Sequence, residues 1–145
     1  MATARRVTVG ASSSARASSV SPNTLTEYSL NQFNDLYFID IAVIEGFKVL
    51  MEFASTSGSC NRVIYCKGNI SATCPAALHI PGGCKGPCPV FNTNEYCYNT
   101  GPCGPKNYSE FFKAQCPDAY SYPKDDATSV FACPGGTNYK VVSCP

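Results

Sequence analysis

The placement of the cysteines constrains the fold of this chain more than any other feature of its sequence. All ten cysteines lie between Cys60 and Cys144, and the first 59 of the 145 residues contain none. A segment so rich in cysteine uses its thiols either as disulfides or as metal ligands. The cysteines are Cys60, Cys66, Cys74, Cys84, Cys88, Cys97, Cys103, Cys116, Cys133 and Cys144.

The spacing of these cysteines favours disulfides over a metal site. A structural zinc site usually pairs two Cys-x-x-Cys knuckles or combines one with histidines. No Cys-x-x-Cys pair occurs in this chain, and His79 is its only histidine. We therefore expect a domain stapled by disulfides, with no bound metal.

Charge, hydropathy and motifs exclude several further classes of protein. The formal net charge of +1 gives no basic footprint of the kind that nucleic-acid-binding proteins carry, so no nucleic-acid partner is expected. No run of 18 apolar residues predicts a transmembrane helix, and a hydrophobic content of 44% is enough for a folded core. No glycine-rich phosphate loop or Ser/His/Asp constellation is present, so we expect no cofactor.

Residues 1–22 differ in composition from the rest of the chain. They are rich in serine and alanine and contain three arginines but no acidic residue. Disulfides form in oxidising compartments that are normally reached through a signal peptide, yet no signal peptide is visible in this stretch. Two interpretations stay open, a transit peptide or a disordered, artefactual leader before a domain that begins near Asn23. We prefer the second.

Strands are predicted on both sides of the cysteine-rich segment. Residues 24–30 mix β-forming and polar side chains, and residues 37–44 form a strongly β-prone run. In this run the odd-numbered residues from Tyr37 to Val43 share one face, whereas Asp40 points to the other. A turn at residues 45–46 and a returning strand over residues 47–53 should follow. Two short strands are expected within residues 129–144, around the Pro134-Gly135-Gly136 turn.

One helix is predicted inside the cysteine-rich segment. Asn107 can cap it, with Glu110 three residues later as in a capping box. Pro117 ends it. One face of this helix would carry Tyr108, Phe111, Phe112 and Gln115, at i, i+3, i+4 and i+7.

Three groups of residues then resemble a known family. The first contains residues 25–32 (LTEYSLNQ), 38–41 (FIDI) and 46–47 (GF), the second residues 116–126 (CPDAYSYPKDD), and the third residues 133–139 (CPGGTNY). Together they resemble the thaumatin-like protein family, in particular its osmotin-like, pathogenesis-related members. The resemblance extends over residues 23–145.

The resemblance implies a mainly β fold, in which a partial thaumatin-like β-sandwich is joined to a disulfide-rich loop region with one short helix. Residues 23–57 and 117–145 would supply the strands of the sheets, and residues 58–116 the disulfide-rich subdomain. Full-length family members begin with several strands that have no counterpart here. The chain is therefore interpreted as the C-terminal part of a thaumatin-like domain, truncated at its N-terminus.

The family's disulfide pattern implies the pairs Cys60–Cys133, Cys66–Cys116, Cys74–Cys84 and Cys88–Cys97. Cys103 and Cys144 would be unpaired: Tyr98 stands where the family has the partner of Cys103, and the partner of Cys144 belongs to the N-terminal strands. These two cysteines could be free, pair with each other or link two chains. We prefer free thiols.

Antifungal members of the family have an acidic cleft, whose carboxylates correspond by motif position to Glu27, Asp40, Glu45 and Asp126. Glu45 stands where an aspartate is usual, and the arginine of the cleft has no counterpart. Clustered carboxylates can hydrogen-bond sugar hydroxyls, or a pair of them can hydrolyse a glycosidic bond. Aromatic rings that could stack on sugar faces nearby are those of Tyr28, Phe33, Phe38 and Phe47.

The resemblance implies an antifungal plant defence protein that binds β-1,3-glucan of fungal walls through this cleft and perturbs hyphal membranes. Its partners would be the wall glucan and the fungal membrane surface. It would be a monomer and either secreted to the apoplast or vacuolar. One alternative is a weak endo-β-1,3-glucanase that uses Glu27 and Asp40. Another is an inactive truncated fragment, whose sheet would expose the apolar face that contains Ile39, Ile41 and Val43.

Two N-glycosylation sequons also occur, Asn69-Ile70-Ser71 and Asn107-Tyr108-Ser109. They matter only if the chain enters the secretory pathway.

Overall fold

A computed structural model describes residues 21–145, so nearly all of the predicted leader, residues 1–22, lies outside the described part of the chain. The strands within residues 21–145 are β1 (Leu25–Gln32), β2 (Leu36–Ala42), β3 (Gly46–Phe47), β4 (Met51–Ser55), β5 (Val63–Cys66), β6 (His79–Ile80), β7 (Gly83–Lys85), β8 (Val130–Pro134) and β9 (Tyr139–Ser143). The helices are α1 (Ile70–Thr73), α2 (Pro87–Phe91), α3 (Asn94–Cys97), α4 (Asn107–Gln115) and α5 (Asp126–Ser129), and a 3-10 turn covers Phe33–Asp35.

The strands form three antiparallel sheets of three strands each. Their orders are β1-β2-β8, β3-β7-β6 and β5-β4-β9. The mainly β fold class is therefore as predicted, and one helix, α4, is longer than five residues among those described. None of the helices within residues 21–145 is long and apolar enough to cross a membrane.

The core is built on β2, whose side chains alternate between two faces. Ile39 and Ile41, together with Val43 just beyond the strand, are fully buried. They belong to a cluster that also contains Phe53 of β4 and Phe112 of α4. The hypothesis of an inactive fragment expects these three aliphatic side chains to be exposed, and that expectation is wrong because β4, β5 and α4 cover them.

β1 is one of the two edge strands of the first sheet, and some of its apolar side chains stay partly exposed. Tyr28 lies opposite Ile39 and therefore on the core-side face of the sheet. Tyr28 is nevertheless 52% exposed, and Leu30 is 36% exposed.

The predicted returning strand over residues 47–53 is divided into β3 and β4. β3 pairs with β7, and β4 pairs with β5 and β9, so neither returns along β2. Between β3 and β4 the backbone is hydrogen-bonded to the side chain of Thr24 and not to another of the described strands. Its hydroxyl accepts the N–H groups of Lys48 and Val49 at 3.1 and 3.3 Å and donates to the Val49 carbonyl at 2.8 Å.

The two strands predicted around the Pro134-Gly135-Gly136 turn exist as β8 and β9, but they join different sheets. β8 pairs with β2, whereas β9 pairs with β4. β5, which lies in the segment assigned to the disulfide-rich subdomain, also pairs with β4. The third sheet thus combines strands from both predicted parts of the domain.

The predicted helix is α4, but its first turn is capped differently from the prediction. Lys106 is the N-cap residue, and Asn107 is the first helical residue. The buried Ser109 hydroxyl accepts the Lys106 N–H at 2.7 Å and donates to the Lys106 carbonyl at 2.9 Å. The buried Ser109 side chain therefore caps the helix, whereas the Glu110 side chain is exposed to water.

The structure contains the disulfides Cys60–Cys133, Cys66–Cys116, Cys74–Cys84 and Cys88–Cys97, which are the four pairs implied by the resemblance. Cys66 and Cys116 are fully buried in the core. Cys103 and Cys144 form no disulfide within residues 21–145.

Replacing both Cys66 and Cys116 with alanine should destabilise the protein more than replacing both Cys88 and Cys97. The first pair is separated by 50 residues and the second by 9, and loop-closure entropy predicts losses of about 4 and about 3 kcal/mol. Loss of the buried sulfurs adds to the first value. Urea unfolding of the two double variants measures both free energies. An equal or larger loss for the Cys88–Cys97 pair would contradict this prediction.

Candidate functional site

Two carboxylates lie directly opposite each other on the first sheet. Glu27 of β1 is paired with Asp40 of β2, so both side chains point to the face turned away from Ile39. Glu27 is exposed, whereas Asp40 is half-buried. The Asp40 Oδ1 atom is shielded from solvent and has no hydrogen-bond partner among residues 21–145.

This arrangement favours the protonated form of one of the two carboxyls. Burial raises the pKa of Asp40 from 3.8 to about 7, and the charge of Glu27 and a hydrogen bond with its side chain act in the same direction. Two adjacent carboxylates resist ionising together because their charges repel. Below about pH 7 the pair therefore holds a proton. It can then donate one hydrogen bond and accept others.

Tyr120 is attached to β2 beside this pair. Its N–H donates to the Ile41 carbonyl at 2.8 Å, and the Val43 N–H donates to the Tyr120 carbonyl at 2.9 Å. These bonds form a parallel bridge between Tyr120 and Ala42. Because Ala42 and Asp40 lie on the same face of β2, the bridge places the Tyr120 side chain on the face that carries Asp40.

The Tyr120 hydroxyl brings a third carboxylate to this face. It donates a hydrogen bond of 2.7 Å to Asp126 Oδ1. Burial raises the pKa of Tyr120, as do the hydrogen bond to Asp126 and the charges of Asp126, Asp40 and Asp125. The phenol therefore stays protonated and remains a donor. Sequence analysis missed Tyr120, although it lies within the quoted segment of residues 116–126.

The turn that precedes Asp126 is held by the buried carboxylate of Asp125. This carboxylate accepts hydrogen bonds from the Ser121 N–H and hydroxyl at 3.1 Å each and from the Thr128 hydroxyl at 3.0 Å, and it pairs with Lys113 Nζ at 3.0 Å. Burial alone would raise the pKa of Asp125, but the bonds from Lys113 and Ser121 and the Lys113 charge outweigh it and lower the pKa. Asp125 is therefore a satisfied structural acid.

Glu45 is the fourth predicted acid. It lies exposed in the turn between β2 and β3. Within residues 21–145 its carboxylate forms no hydrogen bond or ion pair. The same part of the chain contains no group of three or more His, Cys, Asp or Glu side chains arranged to hold a metal ion.

Of the four aromatic residues considered for sugar stacking, Phe38 lies on the acidic face, two residues from Asp40 on β2. Tyr28 points to the opposite face, as its pairing with Ile39 shows. Phe47 is buried in the core. Phe33 lies at the tip of the β1–β2 hairpin and is 83% exposed. The face that carries Asp40 therefore also carries Glu27, Phe38 and the bonded pair of Tyr120 and Asp126, and these residues form the candidate site.

Comparison with known proteins gives two findings. The model of the thaumatin family matches residues 7–145, beginning within the segment assigned to a leader. A curated thaumatin-like protein from Actinidia deliciosa is 62% identical over 124 residues, which are 86% of this chain and 55% of the relative. The chain thus spans about half the length of that relative.

Replacing Glu27 with glutamine should lower the pKa of Asp40, because the adjacent Glu27 charge disappears. The pKa should nevertheless stay above 3.8, because Asp40 is still partly buried. NMR titration of the Asp40 carboxyl carbon measures this, with a midpoint near pH 7 expected in the unmutated protein. Glu110→Gln, at an exposed acid on α4, should leave the midpoint unchanged. A midpoint near pH 4 before mutation would contradict the proton-sharing pair.

The same carboxyl should make stability depend on pH. The pKa of Asp40 is about 7 in the folded protein against 3.8 for an unperturbed aspartate, so the folded state binds more protons than the unfolded state between these values. The contribution of Asp40 to stability is therefore present below about pH 4 and is lost as the pH rises towards 7. Relative to the unmutated protein, Asp40→Asn should gain stability as the pH rises through this window. Thermal unfolding of both proteins from pH 4 to pH 8 measures the difference, and a constant difference would contradict the assignment.

Proposed function

This chain belongs to the thaumatin family. From that premise we propose the following function for it. It is a plant defence protein that binds β-1,3-glucan of fungal walls through Glu27, Asp40 and Asp126. The observation that carries this proposal is the half-buried, incompletely bonded Asp40 opposite Glu27 on an accessible face of the first sheet. Buried polar atoms are normally satisfied, and exceptions concentrate at functional sites.

The chemistry of the ligand matches the chemistry of this face. A glucan is uncharged and presents hydroxyl groups that both donate and accept hydrogen bonds. A carboxyl pair that shares a proton offers a donor and acceptors side by side. Asp126 adds an acceptor held by Tyr120, and Phe38 adds an aromatic side chain that can pack on the apolar face of a sugar ring.

Hydrolysis by this pair would need a defined separation of the two carboxyls. Glycosidases place their two carboxyls about 5–5.5 Å apart in retaining enzymes and about 6.5–9.5 Å apart in inverting enzymes. Glu27 and Asp40 face each other across two paired strands, and the test for released reducing sugar described below separates an endo-β-1,3-glucanase that uses these two residues from a binding protein.

The proposal includes a secretory route. The four disulfides need an oxidising compartment, which supports secretion to the apoplast or delivery to the vacuole. In this proposal the protein acts as a monomer, binds the wall glucan first and then perturbs the hyphal membrane beneath it.

A pull-down on insoluble β-1,3-glucan with the oxidatively refolded full chain tests the proposal. The double variant Glu27→Gln/Asp40→Asn should bind at least about tenfold more weakly, because hydrogen bonds to charged groups contribute about 1.5–3 kcal/mol. Glu95→Gln/Glu110→Gln changes the same number of acids at exposed positions on α3 and α4 and should bind like the unmutated protein.

Two further arms of this experiment separate the alternatives. Tyr120→Phe should weaken retention because Asp126 loses its donor, whereas Tyr122→Phe, two residues away, should not. Equal retention of the unmutated protein and the Glu27/Asp40 double variant would contradict the proposed site. Release of reducing sugar from soluble β-1,3-glucan, abolished in the double variant, would favour the glucanase. Failure of every protein to bind would favour an inactive fragment.

A further inference from the structure

The two N-glycosylation sequons differ in the exposure and hydrogen bonding of their side chains. Asn69 and Ser71 both lie exposed where β5 leads into α1. Within residues 21–145, neither the Asn69 carboxamide nor the Ser71 hydroxyl has a hydrogen-bond partner. Asn69 is hydrogen-bonded through its backbone carbonyl, which accepts from the Thr73 N–H and hydroxyl. The two polar side chains that a glycosyl transfer needs are therefore unoccupied.

Neighbouring residues hold this sequon in an outward-facing position. Ile70, between Asn69 and Ser71, is fully buried. A Cβ atom at Gly68 would clash with the Gln115 carbonyl oxygen, so the chain packs tightly against the end of α4 at that point. Alternate residues thus face inwards at positions 68 and 70 and outwards at positions 69 and 71. Asn69 also lines an open groove of about 440 Å³.

The second sequon has both of its polar side chains engaged by the fold. The Asn107 carboxamide oxygen accepts hydrogen bonds from the Tyr108 N–H at 2.9 Å and from the Tyr96 hydroxyl at 3.4 Å. The Ser109 hydroxyl is 2% exposed and closes the cap of α4 through its two bonds to Lys106. Both residues lie in the first turn of a nine-residue helix, whereas α1 is a single turn of four residues.

We propose that Asn69 is an N-glycosylation site and that Asn107 stays unmodified. Asparagines in such sequons are glycosylated on the surface of proteins that pass through the secretory pathway. The inference therefore rests on the proposed secretory route. In the transfer, Asn69 Nδ2 forms a bond to the anomeric carbon of a lipid-pyrophosphate-linked oligosaccharide. The bond from that carbon to the pyrophosphate oxygen breaks, the lipid pyrophosphate leaves with the electron pair, and the amide nitrogen gives up one proton.

The full chain, directed into the secretory pathway of a eukaryotic host by an added signal peptide, tests the site independently of its natural localisation. Intact mass before and after peptide-N-glycosidase treatment should show one glycan. The glycan should disappear completely in Asn69→Gln and in Ser71→Ala, and it should remain in Ser71→Thr and in the matched control Asn107→Gln. Deglycosylation of the unmutated protein in ¹⁸O water, which converts the modified asparagine to labelled aspartate, locates the site without relying on the folding of any variant.

A chain without a glycan, or a label at Asn107 in place of Asn69, would overturn the inference. Glucan retention is measured on the same samples, and Asn69→Gln should retain the glucan-binding level of the unmutated protein because Asn69 lies outside the acidic face. A glycan at Asn69 in a protein that binds no glucan would uphold the glycosylation site and overturn only the proposed ligand.

Discussion

The backbone pairing of β2 is the interaction on which both the core and the candidate site depend. β2 is bonded to β1 on one edge and to β8 on the other, and Tyr120 bridges it at its end. Its two-residue alternation directs Ile39 and Ile41 into the core and Asp40 to the opposite face. A register shift of one residue would exchange these sets, burying a carboxylate and exposing two isoleucines. The packing of the core therefore also determines where the carboxylate lies.

Two partly or fully buried aspartates in this protein show how environment separates a structural acid from a candidate binding group. Asp125 is paired with Lys113 and bonded to Ser121 and Thr128, and its pKa is lowered. Asp40 has one oxygen without a partner and a second carboxylate beside it, and its pKa is raised to about 7. Asp125 stabilises the turn that presents Asp126, whereas Asp40 costs stability above neutral pH. A position that opposes stability in this way is where function is expected.

The disulfides connect sheets that are too small to be stable alone. Each sheet has three strands, and those of the second sheet are two or three residues long. Cys60–Cys133 links the loop before β5 to β8 of the first sheet, and Cys66–Cys116 links β5 to the end of α4. Small domains with limited cores rely on such covalent links. The accessible faces that remain then carry the acidic site at one place and the Asn69 sequon at another.

Local patterns in the sequence were sufficient to predict β2, its two faces, the helix α4 and the position of Asp40, because alternation and helical periodicity depend only on neighbouring residues. Sequence resemblance placed Glu27 and Asp126 in the same site and implied the four disulfide pairs found in the structure. Only the tertiary structure decided that β8 and β9 join different sheets, that Thr24 divides the strand after β2, and that Ser109 caps α4. It also decided that Tyr120 joins Asp126 to the face that carries Asp40. These features depend on which distant segments meet when the core packs, and a pattern that extends over a few neighbouring residues does not contain that information.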